Sequence, residues 1–305
     1  MRTSVTVRVP GSTSNLGAGF DCVGAAVARW LRVTVRRTGG GGAAVTLARG
    51  GTLAGLETPP ERDLVYRGFA AACGRAGRDV PAGLEIVAES DIPVARGLGS
   101  SAAAAVAGAA AAAALFELDL DPDALTAVGA ALEGHPDNVA PAVRGGATLA
   151  VAGPDGLVVT ALAVHPALAF VFAVPEFRVE TARARAVLPA SLPHATAVQA
   201  AARSAALLEG LAQAEPRLLA VGLDDVLHVP FRRALVPGYD DVTAAARAAG
   251  AYGATLSGSG PTLVAVAPAG RAAAVGEAMV HAWRRRGIVA SSFHVPRPAG
   301  GYEIL

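Results

Sequence analysis

The order of its segments predicts an α+β protein, with helices packed on one face of mainly antiparallel sheet. Three observations carry that prediction. The chain has 305 residues, about twice the roughly 150 usual for one domain, so two modest domains are expected, each able to bury its own core. Strand-like and helix-like segments are mixed through both halves. With 52% hydrophobic and 17% charged residues, the composition is that of a compact folded protein and not of a disordered or fibrous one.

The chain opens with sheet. Segments 5–9 and 31–35 alternate polar and apolar, and the glycine run 39–42 followed by 43–47 continues the pattern of paired strands and loops. Asp63 precedes a helical apolar pattern over 64–72, where an N-capping carboxylate marks a helix start. Segment 84–88 reads as a strand. Segment 102–116 is apolar and mostly alanine. It is shorter than the roughly 20 residues needed to span a bilayer, so it predicts a buried helix lying close against a sheet.

A second helix follows over 123–132, ending near Gly134, and strands resume at 147–151 and 156–162 around the turn Gly153-Pro154-Asp155-Gly156. The domain boundary is placed there, giving domains 1–160 and 161–305. The second half reads as a strand at 169–174, helices near 195–215 and 240–250, a strand at 262–267, a helix at 271–286 and a strand at 292–295. Arg284-Arg285-Arg286 suits the last turn of that helix, where cations meet the negative end of the macrodipole.

Several function classes are excluded. The formal net charge is +1 and no arginine stripe interleaves with aromatics, so nucleic acid is not an expected partner. No membrane partner is expected either. Cys22 and Cys73 are the only cysteines, too few for a disulfide framework or for paired cysteine metal ligands. A reducing cytoplasm is the expected location, and the N-terminus, which lacks a signal-peptide core, is expected to begin the mature chain. The chain contains no lysine, so all 26 basic residues are arginine. That removes a Walker A lysine, a Schiff-base lysine and the strand lysine of protein kinases. Any phosphate site must use backbone amides, a helix terminus, arginine or metal.

The segment Pro93-Val94-Ala95-Arg96-Gly97-Leu98-Gly99-Ser100-Ser101 lies between a predicted strand and a predicted helix, where unpaired N-terminal amides can bind an anion. Glycines allow close backbone approach, and serine hydroxyls can donate to phosphate or reach a cation. Taken alone, the loop also reads as an ordinary strand-to-helix turn with a serine N-cap.

Two further segments join it: 9–21, VPGSTSNLGAGFD, and Ser257-Gly258-Ser259-Gly260-Pro261-Thr262. In order and spacing the three resemble the motifs of the GHMP kinases. That resemblance implies a two-domain α+β GHMP kinase fold, its N-terminal domain like domain 2 of ribosomal protein S5 and its C-terminal domain a ferredoxin-like sandwich. It implies ATP as phosphoryl donor, held by Pro93, Arg96, Gly97, Leu98, Gly99, Ser100, Ser101, Ser259 and Gly260, with Asp63 near the adenine. Mg²⁺ is implied on Glu133 and a serine hydroxyl, Ser100 or its neighbour Ser101.

Segment 132–141, LEGHPDNVAP, with 12–17, 179–189, 230–232 and 237–239, resembles the homoserine-phosphorylating branch of that family. L-Homoserine carries an ammonium, a carboxylate and a primary hydroxyl, which call for an acid, arginines and nearby polar groups. By resemblance, Asp21 holds the ammonium and Arg185 and Arg232 the carboxylate, while Asn15, His135, Asn138 and Thr181 orient the substrate. Asn15 and Arg185 are implied to hold the reacting groups in line, Glu133 to act through the metal, and no side chain to act as base. The implied setting is threonine biosynthesis and the implied assembly a homodimer. The chain departs from the branch at Asp63, often Asn, and at Val229-Pro230-Phe231-Arg232, often Glu-Pro-Tyr-Arg. A family member acting on threonine or mevalonate, and a non-catalytic ATP sensor of the same fold, are the alternatives.

Overall fold

The computed structural model describes residues 2–38 and 45–305. The predicted glycine run 39–42, and residues 43–44 of the strand expected at 43–47, lie outside the described residues. The first half contains β1 (Ser4–Asn15), β2 (Gly19–Arg37), β3 (Val45–Gly51), α1 (Leu64–Arg75), β4 (Leu84–Ser90), α2 (Ser100–Phe116), α3 (Pro122–Glu133), α4 (Val139–Arg144), β5 (Ala147–Gly153) and β6 (Gly156–Leu162). The second contains β7 (Leu168–Pro175), α5 (Thr181–Ala186), α6 (His194–Gln213), α7 (Pro216–Gly222), α8 (Val229–Arg232), α9 (Tyr239–Ala248), β8 (Gly253–Leu256), β9 (Leu263–Pro268), α10 (Ala272–Arg284), β10 (Ala290–Val295) and β11 (Glu303–Ile304).

β1 and β2 form a long antiparallel hairpin that extends well past the alternating stretches 5–9 and 31–35. The added residues are those of the first motif. From Val9 to Asn15 every residue of β1 is buried, so the two-residue alternation that marks a half-exposed strand disappears there. β2 serves two neighbours: Val23–Ala25 pair with β5 and Leu31–Arg37 with β4. Among the described residues β3 with β4 is the one parallel pair, and the seven-stranded sheet otherwise runs antiparallel. β11 returns from the end of the chain to pair with β1.

Helices α1 to α4 cover this sheet. Asp63 accepts from the Val65 N–H and caps α1, while Asp121 caps α3 through Ala124 N–H and Gly134 ends it in a left-handed conformation. The alanine helix α2 is buried against α1, α3 and β1. Its small residues are required by contact. A Cβ on Gly68 of α1 would lie 2.1 Å from the Ala105 carbonyl oxygen, and one on Gly108 of α2 would lie 1.9 Å from that of Val65. No helix among the described residues is long and apolar enough to cross a membrane.

The second sheet has the order β10-β7-β9-β8, all antiparallel. Every residue of β7 is buried, because both of its faces are covered. Ala169, Val171 and Ala173 join a core with Val275, Met279 and Trp283 of α10, whereas Phe170, Phe172 and Val174 join the larger core that holds β1, β2 and α2. The expectation of two separately buried cores is therefore corrected: the large core crosses between the halves, because the second sheet is apolar on both faces. The sheets change over in the link 163–167. The helix expected over 195–215 forms as α6, and a further short helix, α7, follows it directly without having been expected. Pro216 disfavours helical backbone at Glu215, so α6 stops at Gln213, Ala214 turns left-handed and α7 starts with Pro216. β8, fully buried and only four residues long, carries no alternation to mark it in the sequence.

Gly108→Ala should cost about 1–3 kcal/mol by forcing α1 and α2 apart, seen as a lower urea midpoint. Gly74→Ala, whose Cβ meets nothing within 4 Å, should instead gain roughly 0.5–1 kcal/mol.

Candidate active site

The three motifs meet at one cleft of about 350 Å³. The loop between β4 and α2 reaches it through Gly97 and Gly99, whose φ values are 70° and 68°. Neither position has room for a side chain. A Cβ at Gly97 would sit 2.1 Å from the Ser257 carbonyl oxygen, and one at Gly99 would sit 2.0 Å from Ser12 Oγ. Ser12 N–H donates to the Leu98 carbonyl (3.1 Å) and Gly258 N–H to that of Ser14 (3.0 Å), while Ser257 Oγ donates to the Gly97 carbonyl (2.6 Å). The loop is thus clamped between β1 and segment 257–260. Leu98 is buried in the core, and Gly260 stands behind Gly97 without lining the cleft.

The clamp aims α2 at the cleft. No side chain caps that helix, so its first amides and Ser100 and Ser101 present an anion site with the positive end of the macrodipole behind it. Ser101 Oγ donates to Glu133 Oε2 at 2.7 Å. It is Ser101, and not Ser100, whose hydroxyl meets Glu133, since successive helical residues point about 100° apart. Burial pushes the Glu133 carboxyl up, partly offset by the Ser101 hydrogen bond. Two oxygen donors next to an anion cradle, one of them a carboxylate that burial leaves poorly solvated, form a donor set suited to a hard divalent cation.

At the other end of the cleft Arg185 grips Asp21 with both amino groups, at 2.8 and 3.1 Å. Asp21 has φ 56°, and its N–H donates to Asn15 Oδ1 at 2.9 Å. Asn15 Nδ2 in turn donates to the Gly258 carbonyl at 2.9 Å. Asn138 is likewise committed, accepting from Ser12 Oγ (2.8 Å) and donating to Ser14 Oγ (2.9 Å). Both amides act on the site by positioning its walls. His135 Nδ1 meets Asp137 Oδ1 at 2.6 Å; burial alone would lower its pKa, but Asp137 outweighs that and the imidazole is raised. Thr181 Oγ1 lies 3.4 Å from Ser259 Oγ. Arg232 is only 2% exposed, and its guanidinium and that of Arg185 both lie over the Phe20 ring.

The substrate residues expected from sequence, Asn15, Asp21, His135, Asn138, Thr181, Arg185 and Arg232, are therefore brought together along one wall system. Two of the residues expected at the nucleotide are held differently. Arg96 spends its guanidinium on the carbonyls of Pro175, Val94 and Glu176, tying the loop to the end of β7. Asp63 lines the cleft, but its oxygens serve the α1 cap and Arg49 (2.8 Å). Arg49 also donates to the carbonyls of Leu56 and Thr58, and so holds one side of an apolar slot lined by Leu31, Leu53, Leu56, Ala88 and Val94. Sequence reasoning missed Arg49 and this slot, which draws single residues from distant segments and has no periodic signal. Phe20 and Asp137 stood within motif segments without an assigned role.

Behind Arg232 lies His228, fully buried and stacked on Phe20 with ring centroids 4.8 Å apart. Burial pushes its pKa down to about 4.

Two family models match the chain: GHMP kinases N terminal domain over residues 63–146 and GHMP kinases C terminal over residues 198–285. A homoserine kinase of a Nostoc species is 42% identical over 288 residues, 94% of this chain and 94% of that protein. One from a Synechocystis species is 38% identical over 302 residues, 99% and 98% of the two chains. The crystal structure of homoserine kinase from Cytophaga hutchinsonii is similar with a TM-score of 0.89 at 29% identity, covering 100% of this chain and 98% of that one.

The depressed pKa of His228 sets an acid limit to stability. Below the free-histidine value of about 6.5, the unfolded chain takes up a proton that the folded one refuses until about pH 4. Stability is complete above the first value and falls toward the second. Unfolding free energies from urea titrations at about pH 7 and about pH 4.5 should differ by roughly 2–3 kcal/mol more in the parent than in His228→Asn.

Proposed function

The chain belongs to the GHMP kinase family, in its homoserine kinase branch, and we propose that it transfers the γ-phosphoryl group of ATP to the side-chain hydroxyl of L-homoserine. The products are ADP and O-phospho-L-homoserine, an intermediate on the way to threonine. One observation carries this reading. An uncapped helix N-terminus behind a glycine loop shares its cleft with one carboxylate and two guanidiniums, the charges that an amino acid calls for, on Asp21, Arg185 and Arg232.

In this reading the adenine enters the apolar slot beside Leu53 and Leu56, and the phosphates lie on the amides of 99–101. With no lysine in the chain, the α2 terminus carries the fixed positive charge there. Glu133 and Ser101 would hold Mg²⁺, which when bound neutralises phosphate charge. Homoserine places its ammonium at Asp21 and its carboxylate at Arg185 and Arg232. The Asp21–Arg185 pair then exchanges its mutual contact for the two charges of the substrate, so neither is left unpaired. Asn15 spends one amide hydrogen on Gly258 O and accepts from Asp21 N–H; as a neutral amide it orients and does not take a proton. A loose phosphoryl-transfer transition state asks mainly for alignment and charge neutralisation, and the hydroxyl proton leaves to the phosphate or to water.

ADP release with ATP and Mg²⁺ should be fastest on L-homoserine when L-threonine and mevalonate are run in parallel. Turnover of mevalonate alone would refute the assignment, and ATP binding without turnover would favour a sensor. Glu133→Gln should lower kcat by about a hundredfold or more with an unchanged melting temperature; full activity would remove Glu133 from the metal site.

A further inference from the structure

Arg232 reaches the cleft from a buried position, and the protein uses part of its guanidinium before any ligand can. Its Nε donates to the Ala184 carbonyl at 3.0 Å, and Nη1 lies 3.3 Å from His228 Nδ1. The other ring nitrogen of His228, Nε2, lies 3.3 Å from the Gly17 carbonyl. A carbonyl can only accept, so Nε2 carries the proton and Nδ1 is left as a bare acceptor for Arg232. The partners thus select one tautomer.

His228 and Arg232 stand four residues apart, on one face of a helical turn. Asp225 Oδ2 accepts the N–H groups of His228 and Val229 at 2.6 and 2.7 Å, which fixes where that turn begins. On its other side the imidazole stacks on Phe20, whose ring also lies 5.1 Å below the Arg232 guanidinium. The guanidinium is therefore held from three directions, by Ala184, His228 and Phe20, and Nη2 remains for the cleft.

We propose that His228 is a positioning residue for substrate: through Nδ1 it sets the rotation of the Arg232 guanidinium, while Gly17 anchors the same ring to the turn between β1 and β2. This rests on the reading of Arg232 as the carboxylate anchor. Arg232 held in one rotation offers its free N–H groups at a fixed angle, and a carboxylate is recognised by that planar geometry. The neutral ring is part of the device, because a protonated one would have no acceptor and would place two cations face to face.

The experiment compares L-homoserine with 3-aminopropan-1-ol, the same amino alcohol without the carboxylate, as the ratio of their kcat/KM values. His228→Asn puts an amide oxygen near the place of Nδ1 and keeps the acceptor for Arg232; His228→Gln puts its amide near Nε2 and loses that acceptor. The ratio should stay within about threefold of the parent in His228→Asn and fall about tenfold or more in His228→Gln, through KM for homoserine, with KM for ATP unchanged. Equal ratios in the two variants, or the reverse order, would overturn the proposal, because a packing role would weaken both substrates alike. Arg232→Leu separates the two layers of argument. If it leaves the ratio at the parental value, the carboxylate assignment itself fails and this proposal with it. If it collapses the ratio while His228→Gln does not, only the role of His228 is lost.

Discussion

Ser12 Oγ and the Ser257 carbonyl oxygen occupy the space that side chains at Gly99 and Gly97 would need, and the remaining geometry of the cleft follows from that contact. It joins three segments that lie far apart in the chain: the far end of the β1–β2 hairpin, the loop before α2 and the turn after β8. Because both glycines are in the left-handed region, the loop can press its backbone into the neighbouring backbones. The loop then delivers α2 with its N-terminus uncapped and facing open space. The alanines of α2 serve the same end, letting α1 approach close enough to hold the helix in place.

The electrostatics of the site follow from what the chain lacks. Without lysine there is no flexible ammonium to follow a phosphate, so positive charge comes from a rigid helix end and from arginines whose planes are fixed by their neighbours. Arg49, Arg96 and Arg232 each spend hydrogen bonds on backbone carbonyls, which makes them struts of the cleft wall. Arg185, more exposed and paired with Asp21, is the one whose contacts can be exchanged. The cleft thus combines a stiff anion-binding end with an end built from a mutually neutralising pair.

Much of this was legible in the sequence. Strand and helix positions were readable wherever one face meets water, as in α1 and α10, or where a cap announces a start, as at Asp63. They were not readable where burial on both sides erases the pattern, as in Val9 to Asn15 and β8, nor where a helix is only two turns long, as in α7 after Pro216. The candidate site was legible as motifs: the loop, Asp21, His135, Arg185 and Arg232 stand in segments whose resemblance to the family implies phosphate and an amino acid as ligands.

What the sequence alone determined is therefore the chemistry on offer: an α+β chain with no lysine, a glycine-serine loop ahead of an alanine helix, and motif segments whose resemblance to the family implies a place for an amino acid. Tertiary structure decided how those groups are used. Which serine meets Glu133 depends on the rotation of α2. Whether Asn15, Asn138, Arg96 and Asp63 are free or already bonded depends on which carbonyls and hydroxyls other segments bring to them. That His228 stands behind Arg232 depends on the register of a four-residue helix against the β1–β2 turn. Side-chain roles of that kind are set by distances of about 3 Å between residues that stand from 14 to 243 positions apart, and local sequence pattern carries no record of them.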